Sequence, residues 1–142
     1  LITGGTGKRG STPLQAGLTT SLFLVASGFA GAVCWAMNSP GRVVYLSSFA
    51  GLWLALACFG GGLAAGVLGG IGIWPRAGGI GLAIGTLALL ALWWIAPGSV
   101  AVWESAACLV VPAVMSSLGA LAGANLLVRR ACARATLKRD GL

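Results

Sequence analysis

The sequence predicts an all-α integral membrane protein, a bundle of four transmembrane helices. Length and composition carry the prediction. Four apolar blocks, Leu14–Met37, Val43–Ile73, Gly78–Ile95 and Ala106–Val128, cover most of the 142 residues. A helix rising 1.5 Å per residue needs about 20 residues to cross a hydrocarbon core about 30 Å thick, and each block is close to or beyond that length. Only 8% of the residues are charged, 58% are hydrophobic and the mean hydropathy is +0.96. A soluble domain carries about 25% charged residues, and a chain this poor in charge cannot coat itself with a solvated surface. The length suits one bundle, with a polar tail over 1–13, a membrane domain over 14–128 and a basic tail over 129–142.

The N-terminal segment is Gly-rich and polar, with Lys8 and Arg9 ahead of the first span. It lacks the apolar core of a signal peptide. No strand precedes its glycines, so a phosphate-binding loop is not expected there. The first span ends at the turn cluster Asn38-Ser39-Pro40-Gly41. The second is so rich in glycine from Gly60 to Gly72 that regular helix is uncertain after about Gly66, and Pro75-Arg76 are expected to close it. Pro97-Gly98 stop the third. The fourth contains Pro112, which removes a backbone donor and is expected to kink it.

Four spans place both termini on one side. With the termini inside, the inner segments hold Lys8, Arg9, Arg76, Arg129, Arg130, Arg134, Lys138 and Arg139, while the outer loops hold Arg42 and Glu104. Cytoplasmic loops carry the excess of Lys and Arg, so both termini are expected to be cytoplasmic. Trp35, Trp74, Trp93, Trp94 and Trp103 fall near span ends, where an indole keeps its N–H in the wet interface. Trp53 lies deeper.

Small residues four apart recur at Gly62/Gly66, Gly66/Gly70, Gly81/Gly85 and Gly119/Gly123. In lipid such spacing lets helix backbones approach closely. Two readings stand side by side: packing of the bundle's own helices, and docking of a partner's helix. The segments 60–66 and 118–124 look alike, and each closes a helical hairpin that begins on the same side. This is the pattern of two parallel hairpin repeats, with chance likeness among low-complexity residues as the rival. Asn125, near the end of the fourth span, is expected to seek an interhelical partner. The hydroxyls of Thr19, Thr20, Ser21, Ser27, Ser47, Ser48, Thr86, Ser116 and Ser117 are expected to return to their own helix.

Little chemistry is available. There is no His, so no imidazole ligand or base. The carboxylates are Glu104 and Asp140, expected on opposite sides of the membrane. Cys34, Cys58, Cys108 and Cys132 show no metal-site spacing. No catalytic residue, cofactor or metal is expected. The tail cations Arg129, Arg130, Arg134, Lys138 and Arg139 suit anionic lipid headgroups or an acidic partner surface. They lack the interleaved aromatics of a nucleic-acid-binding segment.

The opening LQAGLTTSLFL, the loop SP followed by YLSSF (39–49), ACFGGGLAAG (57–66), the Gly-rich start of the third span and LGALAGANLL (118–127) resemble the YrzE-like small four-span membrane proteins of Gram-positive bacteria. The likeness spans about 14–127. The chain departs from that family's pattern at Val67, at Trp74-Pro75-Arg76 and in its longer basic tail. The resemblance implies a four-helix fold in a bacterial cytoplasmic membrane, brings no catalytic residues, and hints at a partner near the Sec translocase accessory machinery. The expected function is a non-catalytic accessory or scaffold subunit, working with lipids and other integral membrane subunits or with itself. A small channel or transporter, lined by Ser, Thr, Asn125 and backbone at the glycine run, is the alternative.

Overall fold

A computed structural model describes residues 12–38, 46–95 and 101–140, and the side chains of these except 46–48 and 130–140. Among the described residues lie four α-helices and no strand: α1 (Pro13–Asn38), α2 (Leu46–Gly69), α3 (Trp74–Ile95) and α4 (Val102–Asp140), with one 3₁₀ turn at Ile71–Ile73. All four helices contain a stretch long and apolar enough to cross a membrane. Phe23, Phe29, Leu52, Leu90, Val110 and many other large apolar side chains face outward. Exposed apolar surface of this extent belongs against lipid, where it costs nothing to leave uncovered.

Local chemistry sets the helix ends. At the start of α1 the Thr12 N–H donates to Gln15 Oε1 (3.1 Å) and the Gln15 N–H to Thr12 Oγ1 (3.4 Å). This reciprocal capping box satisfies amides that have no partner within the helix. Glu104 serves α4 in a related way, accepting from the Ala101 N–H at 3.2 Å. The side chain of Arg42, its expected partner, lies outside the described residues.

The glycine run is regular helix through Gly69. Gly70 then turns the chain with φ 71°, and its N–H donates to the Gly66 carbonyl at 2.9 Å. A residue of left-handed conformation just past a helix is the usual stop, and glycine adopts it without strain. Pro75 and Arg76 therefore do not close the second span; they lie in the first turn of α3. Proline is tolerated there because the first helical N–H groups have no partner to lose. Pro112 is buried within α4, which runs through it without interruption. α4 also continues past the expected end of its span, through Asp140. Its 39 residues would extend about 58 Å, nearly twice the hydrocarbon core.

The register of the contacts gives the topology. Gly17 lies against Gly61 and Ala65, and Gly28 against Trp53, so α1 and α2 are antiparallel. Gly81 lies against Pro112 and Gly85 against Cys108, so α3 and α4 are antiparallel. Gly62 lies against Ser116 and Gly66 against Ala120, so α2 and α4 are parallel. In the most apolar stretch of α1 only 11% is buried, against 39% in α2, which makes α2 the central helix. The core is small: Cys58, Ala65, Ile80 and Ile84, with Leu14, Leu18, Val25, Leu54, Ile73 and Met115 packed around it. No Cα of α1 comes within 8 Å of one in α4 among the described residues.

A branched side chain at Gly66 would overlap the backbone of Ala120, whereas a methyl at Gly51 would meet nothing within 4 Å. Gly66→Ile is expected to abolish the cooperative thermal transition of the detergent-solubilised bundle, followed by circular dichroism. Gly51→Ala is expected to leave the transition in place and to stabilise by up to about 1 kcal/mol, the helix-propensity difference.

Candidate functional site

The feature that the sequence singles out, its small-residue spacing, becomes two close helix seams. In the first, α2 meets α4. A Cβ at Gly62 would fall on the Ser116 carbonyl, one at Gly66 on the Ala120 carbonyl, one at Gly119 on the Phe59 carbonyl and one at Gly123 on the Leu63 carbonyl. The four contacts are reciprocal. Exchanging Gly62 with Gly119, Phe59 with Ser116, Gly66 with Gly123 and Leu63 with Ala120 maps the set onto itself. In the second seam, α3 meets α4 with Gly81 over the Pro112 carbonyl and Gly85 over the Cys108 carbonyl. Six of the seven glycines picked out by spacing thus sit at contacts within the chain. Gly70 lies beyond the end of α2, outside any seam.

Hydroxyls and indoles reinforce these contacts. Thr20, Thr86 and Ser117 return their hydroxyls to carbonyls four residues back, and Ser27 to the Leu24 carbonyl three back. Thr19 does the same toward Gln15 and Ala16. Ser116 differs from its expected behaviour: its Oγ–H crosses from α4 to the Ala77 carbonyl of α3 at 2.7 Å, fully buried. Ser21 also departs from expectation. Its Oγ is buried against Gly61 and has no hydrogen-bond partner.

Trp53, the deep tryptophan, has a role that spacing did not reveal. Its Nε1–H donates to the Leu24 carbonyl at 2.7 Å across the α1–α2 contact. The ring sits where Gly28 has no side chain. Phe49 stacks on it (centroids 5.8 Å, interplanar angle 24°) and meets Trp35 edge-on (5.9 Å, 78°). The sequence signal was present, a tryptophan away from the interface in one helix and a glycine in the next, but only the register joins them.

Asn125 does not enter a seam. It is exposed on α4, and with Ala122, Leu126, Val128 and Arg129 it lines an open depression of about 590 Å³. The expected close contact beside Gly123 is absent because Asn125, two residues on, is turned about 200° around the helix axis. Arg129 is exposed, while the side chains of Arg130, Arg134, Lys138 and Arg139 lie outside the described ones. Cys34 is exposed, Cys58 buried and Cys108 half-buried, all as free thiols. No cluster among the described residues gathers three potential metal ligands.

Three further glycines, not singled out by spacing, stand apart. Gly31 in α1, Gly51 in α2 and Gly79 in α3 have nothing within 4 Å of where a Cβ would be. Among the described residues they are the α-helical glycines that no contact in the chain uses.

This architecture defines a multi-pass α-helical membrane protein, its helices joined by close backbone contact. Compared with known protein families, curated proteins and solved structures, the chain shows no significant match.

The two cross-helix hydrogen bonds differ from the exposed carboxamide in what they hold. Ser116→Ala is expected to destabilise the bundle by about 0.6 kcal/mol and at most about 2, the range for interhelical bonds in membranes. Trp53→Phe, which keeps the ring but removes the donor, should cost a similar amount. Asn125→Leu should change stability by less than about 0.5 kcal/mol. Reversible unfolding in mixed micelles measures all three.

Proposed function

We propose that the chain is a non-catalytic accessory or scaffold subunit of a larger complex in a bacterial cytoplasmic membrane. Its resemblance to the YrzE-like proteins belongs to the same proposal. The observation that carries the reading is the unused small-residue face of α1. Ser27 and Gly31 lie four apart on this least buried helix. Ser27 is exposed with its hydroxyl already returned to Leu24, and Gly31 has no neighbour in the chain. A partner's helix, or that of a second copy, finds there a surface that permits close approach without an unpartnered donor. The glycines at 62, 66, 81, 85, 119 and 123 are already engaged inside the bundle, so the partner-docking reading shifts from them to Gly31, Gly51 and Gly79. The glycine run offers no unwound backbone before Gly70, so nothing specific favours a pore.

Native mass spectrometry of material extracted gently from its own membrane tests this. A stable assembly is expected for the wild type. Gly31→Leu should lower the assembled fraction at least about tenfold, the cost of separating a packed helix face. Its thermal transition should stay near that of the wild type. A lone monomer from native membrane would remove the proposal.

Orientation belongs to the same reading. The charge bias supports cytoplasmic termini, which places the exposed Cys34 of α1 toward the outer face and Cys132 inside. In intact cells an impermeant thiol reagent should label Cys34, and should reach Cys132 only after permeabilisation. The reverse pattern would invert the topology.

A further inference from the structure

We infer that the depression at the end of the membrane stretch of α4 binds the phosphodiester group of an anionic phospholipid. The site stands on position, chemistry and size together.

Arg129 directly follows the apolar block Ala106–Val128, and a cation that ends such a block is expected at headgroup level. Asn125 lies one turn deeper, and both side chains are exposed to the depression of about 590 Å³. A guanidinium is charged at every physiological pH and presents a planar fork of donors that matches two phosphate oxygens. The Asn125 carboxamide adds two donors that suit a third oxygen or a glycerol ester carbonyl. Leu126 and Val128 supply apolar wall at the level of these groups and Ala122 supplies it just below Asn125, where glycerol and the upper acyl chains would lie. Glu104, the one carboxylate whose side chain is described, lies at the opposite end of the membrane stretch of α4 and cannot neutralise Arg129.

Size separates a lipid from a helix as the occupant. From residue 122 to residue 129 the helix rises about 10 Å. That is too short to seat a helix crossing the bilayer and sufficient for a headgroup with the first part of its chains. Below the depression the surface continues along half-exposed Leu118, and α1 does not come near α4 to close it. Acyl chains can therefore follow α4 into the bilayer. The net charge of +7 adds a diffuse attraction for anionic lipid, but the local arrangement at Arg129 and Asn125 specifies one molecule.

The test uses the purified full-length chain in mild detergent, titrated with phosphatidylglycerol or phosphatidylcholine and read by native mass spectrometry. The wild type is expected to retain one phosphatidylglycerol with about tenfold or greater preference over phosphatidylcholine, a difference within reach of charge-assisted hydrogen bonds. Arg129→Gln should remove that preference, and Asn125→Leu should weaken it. Arg76→Gln, at an exposed cation at the start of α3, should leave it intact. A variant with Arg130, Arg134, Lys138 and Arg139 all changed to Gln should also keep it, which separates the site from general attraction by the tail. Equal retention of the two lipids, or unchanged preference in Arg129→Gln, would overturn the inference. So would displacement of the lipid by a co-purifying protein helix. Because the readout uses the isolated chain, its outcome does not depend on any partner subunit.

Discussion

The bundle depends on how closely α2 and α4 approach. In lipid there is no hydrophobic drive to bring two apolar helices together, since the tails surrounding them are equally apolar. Contact must come from dispersion between well-fitted surfaces and from the polar backbone itself. Dispersion falls away within an ångström of lost fit. Gly62, Gly66, Gly119 and Gly123 remove side chains where the opposing carbonyls lie, so the two backbones face each other directly. Each glycine weakens its helix by about 1 kcal/mol relative to alanine. The closeness it permits is available to no larger residue. The remaining helices are arranged by this seam: α3 joins α4 through the same device at Gly81 and Gly85, and α1 joins α2 at Gly17 and Gly28.

The seam also explains why its local symmetry does not extend to the whole. Exchange of the two hairpins preserves the α2–α4 contacts, but α3 reaches α1 and α2 as well as α4, while α1 stays clear of α4. Ile80, on α3, enters the core beside Gly17 and Ala65, and no apolar residue of α1 plays the matching part against α4. The polar bonds follow the same asymmetry. Ser116 ties α4 to α3 through the Ala77 carbonyl, whereas α1 is tied to α2 from the other partner, by Trp53 reaching the Leu24 carbonyl. Parallel duplication of a hairpin remains compatible with the reciprocal seam alone.

Much of the fold was legible because its determinants are local or periodic. Span number and helical class follow from apolar length, and Thr12-x-x-Gln15 spells out the α1 capping box, although spacing arguments passed over it. The α2–α3 boundary was misread because proline was weighed as a helix breaker at a position where it starts one, and Gly70 as a member of a glycine stripe when its positive φ makes it the stop. Side-chain placement required helical phase and register, neither of which residue spacing supplies. Spacing located Gly123 in a contact face but said nothing of Asn125, which the helix carries round to the surface. It could not separate Gly31, open on every side, from Gly28, covered by an indole. Trp53 and Gly28 are 25 positions apart in sequence, and only an antiparallel register makes them neighbours.

The division between filled and open glycines bears directly on function. A glycine in a seam is explained by the backbone it meets. Gly31, Gly51 and Gly79 carry the same propensity cost with no contact in the chain to offset it. Of the three, Gly31 has the better claim to an external contact. It lies mid-helix in α1, the least buried of the four, with Ser27 one turn before it and that hydroxyl already satisfied. Gly51 and Gly79 lie at the sixth residue of their helices, near an end and not at mid-span. The face of α1 around residues 27–31 is therefore where association with another helix would change the energetics most, and among the described residues α1 does not approach α4, which carries the lipid depression. Two kinds of neighbour, a helix and a lipid headgroup, would then use separate surfaces of one small bundle without competing.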